Sequence, residues 1–130
     1  MRRSLCFLCA LAGALIVGPA AQAAVSISVA NGTVNADGSA TVPVSVSCEP
    51  GRVVLEAHLT LSQDDQTISG TGGIGNVRCT GRVRTYLVTV TPFQGAFHSG
   101  TAFASPFVLV QNRRTGETES GGTASNITLQ

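Results

Sequence analysis

The chain has two imidazoles, His58 and His98, and each is a candidate acid, base or metal ligand. A base does useful work only when it meets a nucleophile and is itself oriented by a third group. No G-x-S-x-G elbow is present, and nothing in the spacing fixes one of the many serines against either histidine. The paired carboxylates Asp64-Asp65 are neighbours in a turn, so they point apart and do not form an acid/base pair. A calcium loop there lacks the D-x-D-x-D-G spacing, and a zinc site needs His58, His98 and a carboxylate to converge from separate segments. The run Ser69-Gly70-Thr71-Gly72-Gly73-Ile74-Gly75-Asn76 is glycine-rich like a phosphate loop, but no helical pattern follows to supply the N-terminus such a cradle uses. The residues therefore predict no catalytic set, no cofactor and no metal. A small extracellular hydrolase or metal-dependent enzyme using His98 or His58 is the second reading.

Four cysteines remain, and the start of the chain sorts them. Arg2 and Arg3 precede an apolar run from Leu5 to about Val17, then Gly18-Pro19, then Ala21-Gln22-Ala23. A basic start, a short apolar stretch and a small-x-small site together read as a secretory signal peptide over residues 1–23. The apolar stretch is shorter than the ~20 residues a bilayer span needs. The expected product is residues 24–130, secreted to the extracellular space, with no membrane association after signal cleavage. Cys6 and Cys9 leave with the signal. Cys48 and Cys79 stay, and an even pair in an exported chain predicts one disulfide. Such a bridge closes a loop of roughly thirty residues, worth about 3–4 kcal/mol on a chain-entropy account.

Residues 24–130 carry six arginines, no lysine and seven carboxylates, a formal charge of −1. A nucleic-acid binder needs a basic excess, so no nucleic-acid partner is expected. Aromatics make up 5% of the chain and tryptophan is absent, so stacking platforms are thin.

The elements that would position these residues read as strands. No window past the signal has a helical period, whereas several alternate with period two. Val25-Ser26-Ile27-Ser28-Val29 is a first strand. Asn31-Gly32 and Ala36-Asp37-Gly38 are turn signals. Thr41 to Cys48 sets Val42, Val44, Val46 and Cys48 on one face, with Pro43 on the other arguing for an edge. Val53, Leu55, Ala57, Leu59 and Leu61 form the longest predicted apolar face. Gln63-Asp64-Asp65-Gln66 reads as a hairpin loop, and residues 67–75 as a poor, bulged strand. Val77 and Cys79 share a face before Arg82–Thr91, whose inward set is Tyr86, Val88 and Val90. Thr101–Val110 and Thr123–Leu129 complete the set, and the charged stretch between them is a protruding hairpin tip.

About seven strands at this spacing predict an all-β, immunoglobulin-like β-sandwich with Greek-key connections and one disulfide, an open barrel being the alternative. Cys48 and Cys79 would then pin two strands inside it. The order Val46-Ser47-Cys48, Val77-Arg78-Cys79-Thr80-Gly81, Tyr86 to Pro92, then Gly95-Ala96-Phe97-His98-Ser99-Gly100-Thr101-Ala102 resembles a group of small secreted actinobacterial-type domains of unknown function. The resemblance implies an immunoglobulin-like sandwich and brings no catalytic residue. The expected function is binding, to a protein, the envelope or a small apolar molecule. Phe93 and Phe97, flanking one loop, and Arg113 and Arg114, on the hairpin tip, are the candidate contact residues.

Overall fold

The computed structural model describes residues 25–130. The expected signal peptide over 1–23 and its expected cleavage after Ala23 lie outside the described residues. Nine strands follow one another: β1 (Val25–Val29), β2 (Thr33–Val34), β3 (Ala40–Cys48), β4 (Arg52–Gln63), β5 (Ile68–Gly73), β6 (Arg84–Pro92), β7 (Gly100–Asn112), β8 (Thr118–Gly121) and β9 (Ser125–Leu129). All pair antiparallel, in the order β1-β3-β6-β5-β4-β7-β8, with β2 also on β3 and β9 also on β7.

β1 and β2 share one position beside β3, pairing with Val44–Cys48 and with Ala40–Thr41 respectively. β8 and β9 likewise share one position beside β7. Seven positions therefore run round the sheet, and its margins meet. Gly32 donates to the Thr128 carbonyl, Gln130 donates to that of Gly32, and Val34 donates to that of Gln130 (3.0, 3.0 and 2.8 Å). At the other end β1 and β8 approach without a ladder, and a Cβ on Gly121 would stand 3.2 Å from the Val25 carbonyl oxygen.

The result is a nearly closed barrel rather than two clearly separate sheets. The predicted sandwich needed unpaired margins. Here β5 pairs with β4 on one side and with β6 on the other, and β9 reaches Gly32. At the β5–β6 corner the chains close so tightly that a Cβ on Gly72 would lie 2.5 Å from the Thr89 carbonyl oxygen. Glycine permits that approach because it has no Cβ.

Side chains at alternate positions fill the barrel. Val42, Val44, Leu59, Leu61, Val88, Val90, Val108, Val110 and Leu129 are its largest fully buried members. Each such side chain contributes roughly 1.5–3 kcal/mol through the area it removes from water. Pro43 does not mark an edge: β3 lies between β1/β2 and β6, and Pro43 falls in the interval between the β1 and β2 pairings, its carbonyl accepting from Ala30 at 3.0 Å.

Gln63 closes β4 rather than sitting in the hairpin loop, Thr118–Gly121 form a strand within the expected hairpin tip, and two further strand readings need correction. The apolar face of β4 does not run unbroken from Val53 to Leu61. A bulge between Val54 and Glu56 makes Leu55 the extra residue, so Leu55 is 51% exposed while Val54 packs on the core. Cys79 does not lie on a strand either. It belongs to the irregular segment 74–83 between β5 and β6. The Cys48–Cys79 disulfide is formed, and the Gly81 N–H donates to the Cys48 carbonyl at 2.9 Å, so the bridge ties this long connection to the end of β3.

Candidate functional site

The β4–β5 hairpin ends its ladder at Gln63 opposite Ile68, and residues 64–67 turn the chain. Asp64, Asp65 and Gln66 all take left-handed φ values, 52°, 53° and 68°. A side chain with a Cβ costs about 1–2 kcal/mol per residue there. Aspartate tolerates the region; Gln66 has no such preference. Three such residues in succession persist only where surrounding contacts hold them.

Those contacts are present. Thr67 donates twice to the Asp64 carbonyl, from its N–H at 3.1 Å and its hydroxyl at 2.7 Å. Gln63 is a buried polar residue whose amide works in both directions. Its Nε2 donates to the His98 carbonyl at 2.8 Å, and its Oε1 accepts the His98 N–H at 2.9 Å. His98 then reaches back to the turn, with Nε2 2.8 Å from Asp64 Oδ2. Its Nδ1 lies 3.0 Å from the Ser99 carbonyl oxygen.

Both ring nitrogens of His98 thus face acceptors. A neutral imidazole has one N–H and satisfies one of them; the imidazolium donates to both. The Ser99 carbonyl first, then the hydrogen bond and charge of Asp64, hold the His98 pKa above its ordinary value. This arrangement suits a clamp. A general base aims a ring nitrogen at a nucleophile's hydroxyl or thiol, whereas those of His98 face a carbonyl and a carboxylate.

Beside the clamp, Phe103 projects outward from β7 with 46% of its surface exposed. It stands at the meeting of two shallow clefts. One, of about 340 Å³, runs past Ser62, Asp64, Asp65, Gln66, Thr101 and Asn126. The other, of about 270 Å³, runs past Thr60, Ser62, Gln66, Ser69 and Ser105. Ser62, Gln66 and Phe103 line both, so the two form one bent groove with the phenyl ring in its middle. Its other lining groups are mostly hydroxyls, amides and carboxylates.

The structure scatters the residues singled out from sequence. His58 is half-buried on β4, its ring centroid 5.3 Å from that of Phe107 and its Nδ1 3.2 Å from Glu56 Oε1. It lies six residues before Asp64 along an extended strand, roughly 20 Å away. Among the described residues no three His, Cys, Asp or Glu side chains gather. Phe97 is not at the surface. It is 3% exposed and belongs to the core, so it offers no ring to a partner; the turn at Gly38, whose carbonyl accepts the Phe97 N–H at 2.9 Å, draws it inward. Phe93 is 75% exposed just past Pro92, and its N–H donates to the Ser69 carbonyl at 2.8 Å. Arg113 and Arg114 are exposed in the β7–β8 turn.

Two residues of the groove were legible but not singled out. Gln63 continues the inward alternation of Leu59 and Leu61, which marks it as a buried amide. Phe103 lies between inward Ala102 and Ala104, which marks it as outward. The left-handed Gln66 had no local signal.

No family model, curated protein or solved structure matches the chain. The fold and site define a class: a small all-β domain, nearly closed as an antiparallel barrel, with one disulfide and a polar surface groove centred on an exposed phenyl ring.

Proposed function

We propose that the protein is a secreted, non-enzymatic domain that acts by binding, with the Phe103 groove as its contact surface. The observation that carries this reading is an exposed aromatic ring set among hydrogen-bonding groups beside a turn locked in a costly conformation. Binding surfaces held in advance lose less freedom when a partner arrives. Hydroxyls, amides and carboxylates around one ring suit a partner that presents polar groups together with an apolar face. A polar stretch of envelope glycan or a protein loop fits this lining better than a small apolar molecule. The hydrolase alternative is weakened by the engagement of both His98 nitrogens with acceptors. The proposal includes the finer fold reading. Only two residue pairs, Gly70 with Pro92 and Thr71 with Thr91, join β5 to β6. That leaves β1-β3-β6 and β5-β4-β7-β8 as nearly separate sets, in the succession an immunoglobulin-like domain would have.

The test compares the exported protein with its Phe103→Ala variant for retention on isolated envelope material and on immobilised glycans. Removing an anchoring ring at a contact centre is expected to weaken retention about tenfold or more. Equal retention by the two proteins, or hydrolysis abolished by His98→Ala, would remove this reading.

A further inference from the structure

The sequence sum of −1 conceals how the charges are distributed. Every arginine among the described residues lies at one end of the barrel. Arg52 opens β4, opposite Asn112 at the end of β7. The Arg113 N–H donates to the Gly51 carbonyl at 3.5 Å, which brings the β7–β8 turn with Arg113 and Arg114 onto the β3–β4 connection. On the other side of that connection, Gly81 abuts Pro50; a Cβ there would lie 3.4 Å from the proline Cδ. Arg82 follows Gly81, Arg78 precedes the bridged Cys79, and Arg84 pairs with Val46 near the end of β3. The guanidinium-bearing residues therefore succeed one another from the β7–β8 turn, across residues 49–52, to segment 78–84.

Six arginines against Glu49, Glu56, Glu117 and Glu119 leave this end with a formal surplus of two positive charges. Arg52 alone has carboxylates near it, Glu49 at 3.7 Å and Glu119 at 3.8 Å. Among the described residues Arg78, Arg82, Arg84, Arg113 and Arg114 form no ion pair, and all five are exposed. A cleft of about 470 Å³ opens between residues 49–52 and 112–114, with Arg52, Arg113 and Arg114 on its walls against the single carboxylate of Glu49. The opposite end carries Asp37, Asp64 and Asp65. The β2–β3 turn and the 93–99 loop meet there through Gly38 and Phe97, and His98 holds Asp64.

We propose that the arginine end is a second binding site, independent of the Phe103 groove, and that it takes a linear phosphate-bearing polymer. Charge complementarity selects a polyanion. The succession of arginines across three segments suits a chain that runs over all of them. The arginines come from three separate segments, residue 52, residues 78–84 and residues 113–114. A carboxylate satisfies one guanidinium fork in its own plane, whereas a phosphate group presents oxygens in several directions and can be shared between forks. Tyr86, the only aromatic residue of the adjoining strand β6, packs against the core rather than standing free, so the site offers charge without the exposed stacking ring that single-stranded nucleic acid uses.

The experiment titrates the mature protein with inorganic polyphosphate, alongside polygalacturonate of matched charge and vesicles containing phosphatidylglycerol. Polyphosphate is expected to bind, with affinity falling about a hundredfold between about 50 and 200 mM salt as displaced counterions weaken the contacts. The paired variants Arg113→Gln/Arg114→Gln and Arg82→Gln/Arg84→Gln should each weaken binding severalfold, with unchanged melting temperature and an intact disulfide. Phe103→Ala should bind polyphosphate as the parent does. No binding at low salt, binding insensitive to both paired variants, or equal or tighter binding of polygalacturonate or of the vesicles would overturn the proposal.

Discussion

His98 is where a titration reports most directly on the built site. Its pKa is raised by acceptors that exist only in the folded chain, the Ser99 carbonyl foremost and Asp64 next. A group whose folded pKa exceeds its unfolded value stabilises the fold fully below the unfolded pKa, about 6.5, and that contribution disappears as pH rises through the folded value. Proton NMR should place the His98 midpoint above that of a histidine peptide, and Asp64→Asn should lower it. A midpoint unmoved by Asp64→Asn would dissolve the clamp. Asp37 works with the opposite sign. The Ser39 hydroxyl, at 2.6 Å from Asp37 Oδ1, and then the Ser39 N–H hold its carboxyl below the usual value. Its contribution is present above the unfolded carboxylate pKa and lost as pH falls through the folded one. Gln63→Ala should cost about 1–3 kcal/mol in denaturant unfolding, because the His98 N–H and carbonyl lose their partner in a buried place.

At the scale of strands, the bulge in β4 makes a sharp contrast. Leu55 is the extra residue of a two-against-one pairing, so its deletion leaves Val54 and Glu56 on the faces they already occupy. Deleting Leu55 should therefore give a folded protein of near-parental stability by circular dichroism and urea melts. Deleting Thr60 from the regular part of the same strand should abolish folding, because one residue of slip drives either Leu59 or Leu61 out of the core. Leu61→Ala at fixed register should cost about 2–5 kcal/mol. Gly70→Ala should cost roughly 1–3 kcal/mol or more, since its Cβ would press on the Thr91 carbonyl oxygen at the corner where β5 meets β6.

The described residues form a nearly closed barrel whose longest connection, between β5 and β6, has no strand of its own. The disulfide, spanning 31 positions, restrains that connection against the end of β3. Replacing Cys48 and Cys79 by serine should lower stability by about 3–4 kcal/mol, measured by denaturant unfolding. The same change should loosen Arg78 and Arg82, which that connection carries, and so reduce polyphosphate affinity without touching the Phe103 groove. The intact mass of protein recovered from the medium checks the export expectation. Residues 24–130 less two hydrogens is the expected species, and a species retaining residues 1–23 would reject it.

Local pattern was enough for much of this. Alternation in Val25–Val29, Thr41–Cys48 and Tyr86–Val90 announced strands and their inward faces, because side chains along a strand alternate with period two whatever the strand pairs with. Its polarity marked Gln63-Asp64-Asp65-Gln66 as a hairpin loop, of which Gln63 proved to close β4, and the expectation of export implied the bridge between Cys48 and Cys79. What alternation cannot carry is which edges meet. Closure depends on β9 reaching Gly32 and on β5 serving both neighbours, contacts between residues far apart in the chain. The bulge at Leu55 broke the period without any glycine or proline to mark it. Phe97 was drawn inside by the turn at Gly38, nearly sixty positions earlier, and six arginines spread from residue 52 to residue 114 came to one end. Residue types and their local spacing determined the strands and the bridge; long-range pairing alone decided the barrel, the groove and the separation of charge, because those depend on distances that only the folded chain brings into being.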